Sequence, residues 1–492
     1  MSGPTGRLPA DAVAILREYQ RRVGAGARAE ANVVLLAAEG TTAVVAGQQP
    51  GLLGGPLLSL HKAVGAIARA ARLAAESGRP VVPVFWIASE DHDVAEIDRA
   101  VVLDATGRPR ALSLGLPADR RSVCDLPLDP AAVETLLGEL RAALPATERG
   151  AEALALATPP SGVDVGAWFA CVVARVLGDA GLVFVEPRHL SPYAGEVYAT
   201  LLERAEAIEA GVRDEGVARR ARGEPAPLDR EAGTAPLFLR DAPRGARGRV
   251  RVDGDTVRVR DKTSSLDRRF LAALLRQEPE LASGDVVGRV LVQNALLPVV
   301  EIVAGPTELA YLAQVGGGAR AIGLRFPALA SRPSAIWVDG RSAESLAAFG
   351  LEAVDVTEGR AAAPAADAGP GSLPDPISEA LEDLVARVTA LRERAAPERG
   401  ADGGPSSVLR DLDAVRGDLE KALRRRGDER EALAGRGRAR FERLLHALRP
   451  LGEPQERVLS PVSLVARHGV AAFRSGLLAL DPSAPSRAFR LS

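Results

Sequence analysis

Residues Thr42–Asp98 read TAVVAGQQPGLLGGPLLSLHKAVGAIARAARLAAESGRPVVPVFWIASEDHDVAEID, and the order of apolar, glycine-rich and acidic segments in this stretch decides the fold. The opening TAVVA is a short β-branched run, Gly47 to Gly55 forms a turn, and Pro56 stands where a first-turn helix proline costs no hydrogen bond. A helical segment and a second apolar strand, VVPVFWI, follow, so the stretch is a βαβ unit. Both polar clusters, Gln48-Gln49 and Glu90-Asp91-His92-Asp93, come directly after a strand. Ligands of open parallel sheets bind beyond the carboxyl ends of the strands, and the active site is expected there.

A chain of 492 residues exceeds one hydrophobic core, which stops growing at roughly 250–300 residues, so at least two structural units are expected. Lys+Arg 62 against Asp+Glu 64 gives a net charge of -2 and no sequence-wide reason for a nucleic-acid or anionic-membrane partner. A small-molecule substrate is the default. The N-terminus lacks the apolar core of a secretory signal, and no apolar run approaches the ~20 residues of a membrane span, which predicts a cytoplasmic protein. Cys124 and Cys171 lie far apart and outside any CxxC pattern, so they read as core thiols. Lysine occurs only at positions 62, 262 and 421.

Outward from the βαβ unit, residues 9–30 predict an opening amphipathic helix, Ala100–Leu103 a further strand, Gly166–Leu177 a buried helix and Gly181–Val185 a strand ending in Glu186-Pro187. Alternation from Arg249 to Arg260 predicts a hairpin centred on Asp253-Gly254 with its arginines on one solvated face. Residues 289–314 hold strand-like apolar runs and a helix that Thr307 could cap. Beyond an Ala/Pro/Gly linker, Ile377, Leu381, Leu384, Val388 and Leu391 recur at heptad spacing, and Leu412, Val415, Leu419 and Ala422 continue it after the Gly403-Gly404-Pro405 break. Two helices of about three heptads predict an antiparallel coiled-coil arm, completed by a second copy or packed on its own core.

The Gly47–Gly55 turn matches neither Walker A nor GxGxxG. Its glycines suit an anion at a helix N-terminus, or equally a turn that needs positive φ. Lys62 lies six residues past Pro56, roughly 9 Å along a helix axis, so its ammonium either reaches that anion or lies on a solvated face. Asp93 and Glu96 have capping-box spacing. Glu90, Asp91 and His92 have no such structural reason, and at a strand end they can hold Mg²⁺, orient an amine or accept its proton.

The motifs GQQPGLLGGPLLSLHKA at 47–63, VVPVFWIASEDHDVAEID at 81–98, SGDVVGRVLVQNALLP at 283–298, GPTELAYLAQ at 305–314 and PQERVLSP at 454–461 resemble the cysteine-adding enzymes of bacillithiol biosynthesis, BshC. The resemblance implies an α/β fold, a Rossmann-like parallel-sheet core over 1–360 with connecting-peptide insertions near 105–160 and 201–285. A linker at 361–376, a C-terminal antiparallel α-helical coiled coil at 377–450 that forms a homodimer, and a segment at 451–492 returning to the core complete that layout. It also implies a ligase that adds cysteine to glucosaminyl malate by amide formation. Chemistry adds that the carboxylate needs activation, most simply by ATP as an acyl-adenylate, with Mg²⁺ as a companion ion. The residues matching the pattern are Glu90, Asp91, His92 and Asp93 as the catalytic cluster, and Gln48, Gln49, Gly51, Gly55, Lys62, Arg289, Gln293 and Glu308 as the binding set. Ala46, His61 and Asn294 depart from it, where threonine, tyrosine and aspartate are usual. Two other readings are a different nucleotide-dependent carboxylate-activating enzyme on the same core, and a non-catalytic scaffold for the pathway.

Overall fold

The structure, a computed structural model, describes residues 8–240, 242, 244–260, 262, 265–361, 375–397, 406–482 and 487–490. Its strands are β1 Thr42–Gln48, β2 Val81–Ile87, β3 Ala100–Leu103, β4 Pro109–Leu112, β5 Val183–Val185, β6 Thr234–Arg240 and β7 Arg247–Asp253. They continue with β8 Thr256–Val259, β9 Ser265–Asp267, β10 Ala282–Gly284, β11 Val299–Ala304, β12 Ala328–Ser331, β13 Ala335–Val338 and β14 Arg487–Arg490.

Strands β5-β2-β1-β11-β12 lie side by side, all parallel. In order of appearance along the chain this is 3-2-1-4-5, the arrangement of a doubly wound Rossmann-like sheet, and it puts the reversal of strand order between β1 and β11. Both faces are covered, which is why β1 and β2 read as continuous apolar runs. Val44, Ala46, Phe85 and Ile87 enter the core on one face, and Ala43, Val45, Val84 and Trp86 the core on the other. The helix Leu58–Ser77 joins β1 to β2 and buries its first half.

Two excursions leave this sheet. After β2 the chain makes the antiparallel pair β3–β4, so Ala100–Leu103 is a strand outside the parallel sheet, and then the helices Pro130–Ala143 and Glu148–Ala157. Between β5 and β11 it makes an antiparallel sheet, β10-β6-β7-β8-β9. Its hairpin turns at Gly254-Asp255, since Asp253 pairs with Thr256, which is one residue beyond the predicted centre.

Other expectations are corrected locally. The opening helix is two, Ala10–Val23 and Ala27–Leu35, because Gly24 takes the left-handed conformation at φ 71° and closes the first one. Residues 288–296 form a helix rather than a strand. Thr307 lies inside the helix Pro306–Ala321; at its start the Gly305 amide donates to Glu308 Oε2 at 2.9 Å. Asp93 makes no side-chain cap, and Glu96 turns to Gln49 instead of closing a capping box. Pro56 precedes the helix Leu58–Ser77 by two residues, with a short 3₁₀ turn, Leu52–Gly54, between strand and helix.

The chain divides into two compact units, residues up to Asp339 with those from Glu453 onward, and Gly340–Gly452. In the second unit the helices Pro376–Ala395 and Ser407–Leu448 run antiparallel. Arg392 at the end of one meets Asp413 near the start of the other, and Asp375 at the start of the first meets Arg426 and Arg430. The second helix has 42 residues, about 63 Å at 1.5 Å per residue and twice the predicted reach. Leu381 and Val388 are half-buried, whereas Ile377, Leu384, Leu391 and Val415 stay between 42% and 55% exposed. Linker residues 362–374 and the break at 403–405 lie outside the described residues.

Candidate functional site

The carboxyl ends of β1, β2 and β11 open into a crevice with two adjoining lobes. The outer lobe, about 520 Å³, is walled by Asp91, His92, Asp93, Phe238, Arg247 and Arg289 among others. The inner lobe, about 270 Å³, lies at the reversal of strand order and is walled by Gly47, Gln48, Gln293, Val303, Glu308 and Tyr311 among others. Gln49, Trp86, Glu96 and Arg289 line both. The two polar clusters that follow β1 and β2, far apart in the sequence, thus meet in one place.

Lys62 is where the structure departs most from expectation. Its ammonium, 2% exposed, does not project beyond the helix N-terminus but reaches the end of β1, donating to Gly47 O at 3.0 Å and Gln48 Oε1 at 2.6 Å. It also pairs with Glu308. Burial lowers its pKa, and Glu308 acts against that shift. Lys62 therefore stands behind the wall of the inner lobe, joined to the solvent side through Glu308 and Gln48.

Gly51 and Gly55 serve the turn itself. A Cβ at Gly51 would lie 2.9 Å from Gly55 Cα, and Gly55, at φ 66°, packs beside Phe169. The amides of Gly51, Gly55 and Leu57 donate to the carbonyls of Gln49, Leu52 and Leu459. These three N–H groups are already bonded within the protein, and neither Gly51 nor Gly55 lines the crevice.

The acidic segment after β2 divides by environment. Glu90, 7% exposed, has its carboxyl pKa raised by burial, against the pull of Arg240 and Arg247. For Asp91, burial works in the same upward direction but loses to Arg247, Arg289 and the amides of His92 and Asp93, so its carboxyl titrates below the usual range. Asp91 Oδ1 accepts from those two amides at 2.8 and 3.3 Å, and Oδ2 accepts from Gln49 Nε2 at 3.1 Å. Gln49 also donates to Glu96 Oε2 at 2.6 Å. Asp93 is exposed at the rim.

Arg247 determines the state of His92. A guanidinium has only donors, so the 3.0 Å contact from Arg247 Nη1 makes His92 Nδ1 an acceptor and leaves the proton on Nε2. Burial and the positive charge of Arg247 both lower the imidazole pKa. His92 thus faces the crevice as a neutral N–H donor. Arg247 itself is fixed by Ser283 Oγ at 2.9 Å, Gly284 O at 3.1 Å and the Phe238 ring, 4.3 Å from its guanidinium carbon.

Arg289 donates to Tyr311 Oη at 3.1 Å and otherwise turns its guanidinium to the two lobes. Gln293 sits beside it and bonds weakly to Asn294 Oδ1 at 3.4 Å. The Asn294 Nδ2 is buried without a partner, in keeping with a position where the sequence pattern calls for aspartate.

Sequence reasoning missed Arg240, Arg247, Phe238 and Tyr311. The arginine alternation did carry a signal: Arg249, Arg251, Arg258 and Arg260 are exposed as it predicts, whereas Arg247, on the same face of β7 as Arg249 and Arg251, is buried and lines the crevice beside Arg249. Among the described residues no group of three or more His, Cys, Asp or Glu side chains is arranged to hold a metal ion. No helix of the described residues is long and apolar enough to cross a membrane.

The family model described as bacillithiol biosynthesis BshC, N-terminal Rossmann-like domain, matches residues 8–333. A protein of Geobacillus thermodenitrificans named "Putative cysteine ligase BshC" is 31% identical over 468 residues, covering 92% of this chain and 85% of its own. Proteins of the same name from Heliobacterium modesticaldum and Salinibacter ruber are 34% identical over 372 residues (70% and 65% of the two chains) and 30% identical over 470 residues (93% and 84%). With the Rossmann strand order, the strand-end crevice and similarity along nearly the whole length, the chain belongs to the BshC family of cysteine ligases.

Proposed function

We propose that this protein joins the carboxylate of cysteine to the amine of glucosaminyl malate, completing bacillithiol, with ATP activating the carboxylate and Mg²⁺ accompanying the nucleotide. The observation that carries the reading is the pair Asp91 and Arg289 on the wall of one crevice, close enough for the arginine to depress the carboxyl pKa. An ionised carboxylate and a guanidinium with spare donors suit the ammonium and carboxylate of a free amino acid. Support for the nucleotide comes from the inner lobe, since doubly wound sheets bind phosphates where strand order reverses. Arg289 lines both lobes, where a carboxylate joined to phosphate would lie.

The remaining residues take roles from their environments. Gln49 orients Asp91, and His92, neutral and donating through Nε2, offers a hydrogen bond to the acyl oxygen. Glu90, whose raised pKa brings it nearer neutrality, is the better base for the amine proton. Lys62 reaches the nucleotide phosphates by exchanging Glu308 for them. The names carried by the relatives support the substrates.

We further propose that the protein acts in the cytoplasm, where cysteine stays reduced, and as a homodimer. The outward row Ile377, Leu384 and Leu391, left exposed by the helix pair, supports the dimer. The direct test of the reaction is product formation from cysteine, glucosaminyl malate and Mg·ATP. Bacillithiol with stoichiometric ATP consumption is expected, and its absence with all three supplied would overturn the reading.

A further inference from the structure

Beside the crevice lies a second chamber of about 780 Å³, walled by the loop Cys124–Leu128, the loop around Gly162–Asp164, the segment after β5, and Arg240 at the end of β6. It is as roomy as a site for a drug-sized ligand. Among the residues that line it, Glu90 also lines the outer lobe of the crevice. The two spaces therefore meet at Glu90.

Polar and charged side chains make up much of the wall of this chamber. Arg188, His189, Ser191 and Arg240 stand there beside the acids Asp125 and Asp164. Two of the wall's acids are already neutralised, Asp164 by Arg188 at 2.6 Å and Asp125 by Arg240 at 2.8 Å. At the rim, Arg22 and Arg244 are exposed, and among the described residues neither has a carboxylate partner; Glu280 is the rim's acid. A polar wall with a cationic rim fits a hydroxylated ligand whose far end is anionic.

We infer that the second chamber receives the amine substrate, a hydroxylated amine bearing carboxylates, with its amino group at Glu90 and its carboxylates toward Arg22 and Arg244, while the amino acid and nucleotide occupy the crevice. The inference rests on the ligase reading and assigns the two substrates to two spaces that meet beside one carboxyl group. In the joining step the amine nitrogen forms a bond to the activated carbonyl carbon. The bond from that carbon to its phosphate oxygen breaks, the electron pair leaves with the phosphate, and the amine proton passes to the Glu90 carboxylate. Glu90 is the side chain that meets both partners.

The experiment is calorimetry of the full-length protein with glucosaminyl malate and, separately, with cysteine plus a non-hydrolysable ATP analogue. Exposed Arg22 and Arg244 can be replaced without disturbing the core, so Arg22→Ala and Arg244→Ala are the chamber variants and Arg289→Ala the crevice variant. The chamber variants are expected to bind glucosaminyl malate about tenfold more weakly, with cysteine binding unchanged, and Arg289→Ala to do the reverse. A glucosaminide lacking malate should bind wild type and the chamber variants equally. If Arg289→Ala loses the amine substrate while both chamber variants keep it, the chamber assignment is overturned and the ligase reading stands. If wild type binds neither ligand set, the ligase reading falls, and this inference with it.

Discussion

Lys62 and Glu308 form an ion pair at 2.5 Å across the point where the strand order of the parallel sheet reverses. One comes from the helix that follows β1 and the other from the first turn of the helix that follows β11. Each is also tied to its own strand end, Lys62 through Gly47 O and Glu308 through the Gly305 amide. The pair thus joins the two halves of the sheet on the floor of the inner lobe.

Replacing Lys62 by methionine leaves Glu308 facing that floor without its cation. Because Glu308 is 27% exposed, water compensates in part, and a loss of about 1–3 kcal/mol in stability is expected. Nucleotide affinity should drop about tenfold or more if Lys62 trades Glu308 for phosphate. Denaturant unfolding and calorimetry with Mg·ATP read the two effects separately. Unchanged nucleotide affinity in a destabilised variant would make Lys62 purely structural.

Glu90→Gln should be more stable than wild type at neutral pH yet inactive. The sign follows from burial: a carboxyl group whose folded pKa is raised above its unfolded value loses stability as pH climbs from the unfolded pKa through the folded one. Arg240 and Arg247 reduce that loss, and Asp125 adds to it. Glutamine cannot ionise, so the advantage of the variant should be present at pH 7 to 8 and vanish below about pH 4. A variant less stable than wild type across that whole range would mean that the contact with Arg240 outweighs burial.

The state of His92 depends on Arg247. In wild type its imidazole should titrate below the ordinary value near 6.5, and removal of the guanidinium by Arg247→Met should move it upward. Asp91 and Asp93 pull in that upward direction, and Arg120 opposes them. Histidine-selective NMR titration of the two proteins checks this. Equal pKa values would show that Arg247 does not lower the imidazole pKa.

Leu384 is 42% exposed on the outward face of the helix Pro376–Ala395, so aspartate there should leave the fold of the helix pair intact. If that face joins two copies, Leu384→Asp should convert a dimer into a monomer in light scattering at tens of micromolar, with no change in helix content. A full-length protein already monomeric at that concentration would contradict the dimer.

Much of the crevice was legible because its signals are local. Apolar runs of strand length, a glycine turn and polar residues just beyond each strand identify the ends of β1 and β2 without tertiary information. The direction of Lys62 was not legible, since it depended on where the helix begins, and the 3₁₀ turn at Leu52–Gly54 moves that start to Leu58. Arg240 and Arg247 come to Glu90 and His92 from more than 140 residues away, on strands of a separate antiparallel sheet. Nothing in their immediate sequence distinguishes them from the solvated arginines that follow on β7. The split of the heptad row into an inner pair, Leu381 and Val388, and an outer row was likewise hidden, because periodicity marks an apolar face without saying what covers it.

The most direct test of the central claim, that amide ligation occurs in the strand-end crevice, is the Asp91→Asn variant assayed for bacillithiol formation from cysteine, glucosaminyl malate and Mg·ATP beside its melting temperature. Asp91 Oδ1 accepts hydrogen bonds from two amides, which asparagine's oxygen can retain, while the Gln49 bond to Oδ2 and the charge that would hold the cysteine ammonium are lost. A melting temperature within about 4 °C of wild type, with product formation reduced at least about a hundredfold, is the predicted result. Wild-type turnover with a lowered melting temperature would contradict it and make Asp91 a residue of the turn alone.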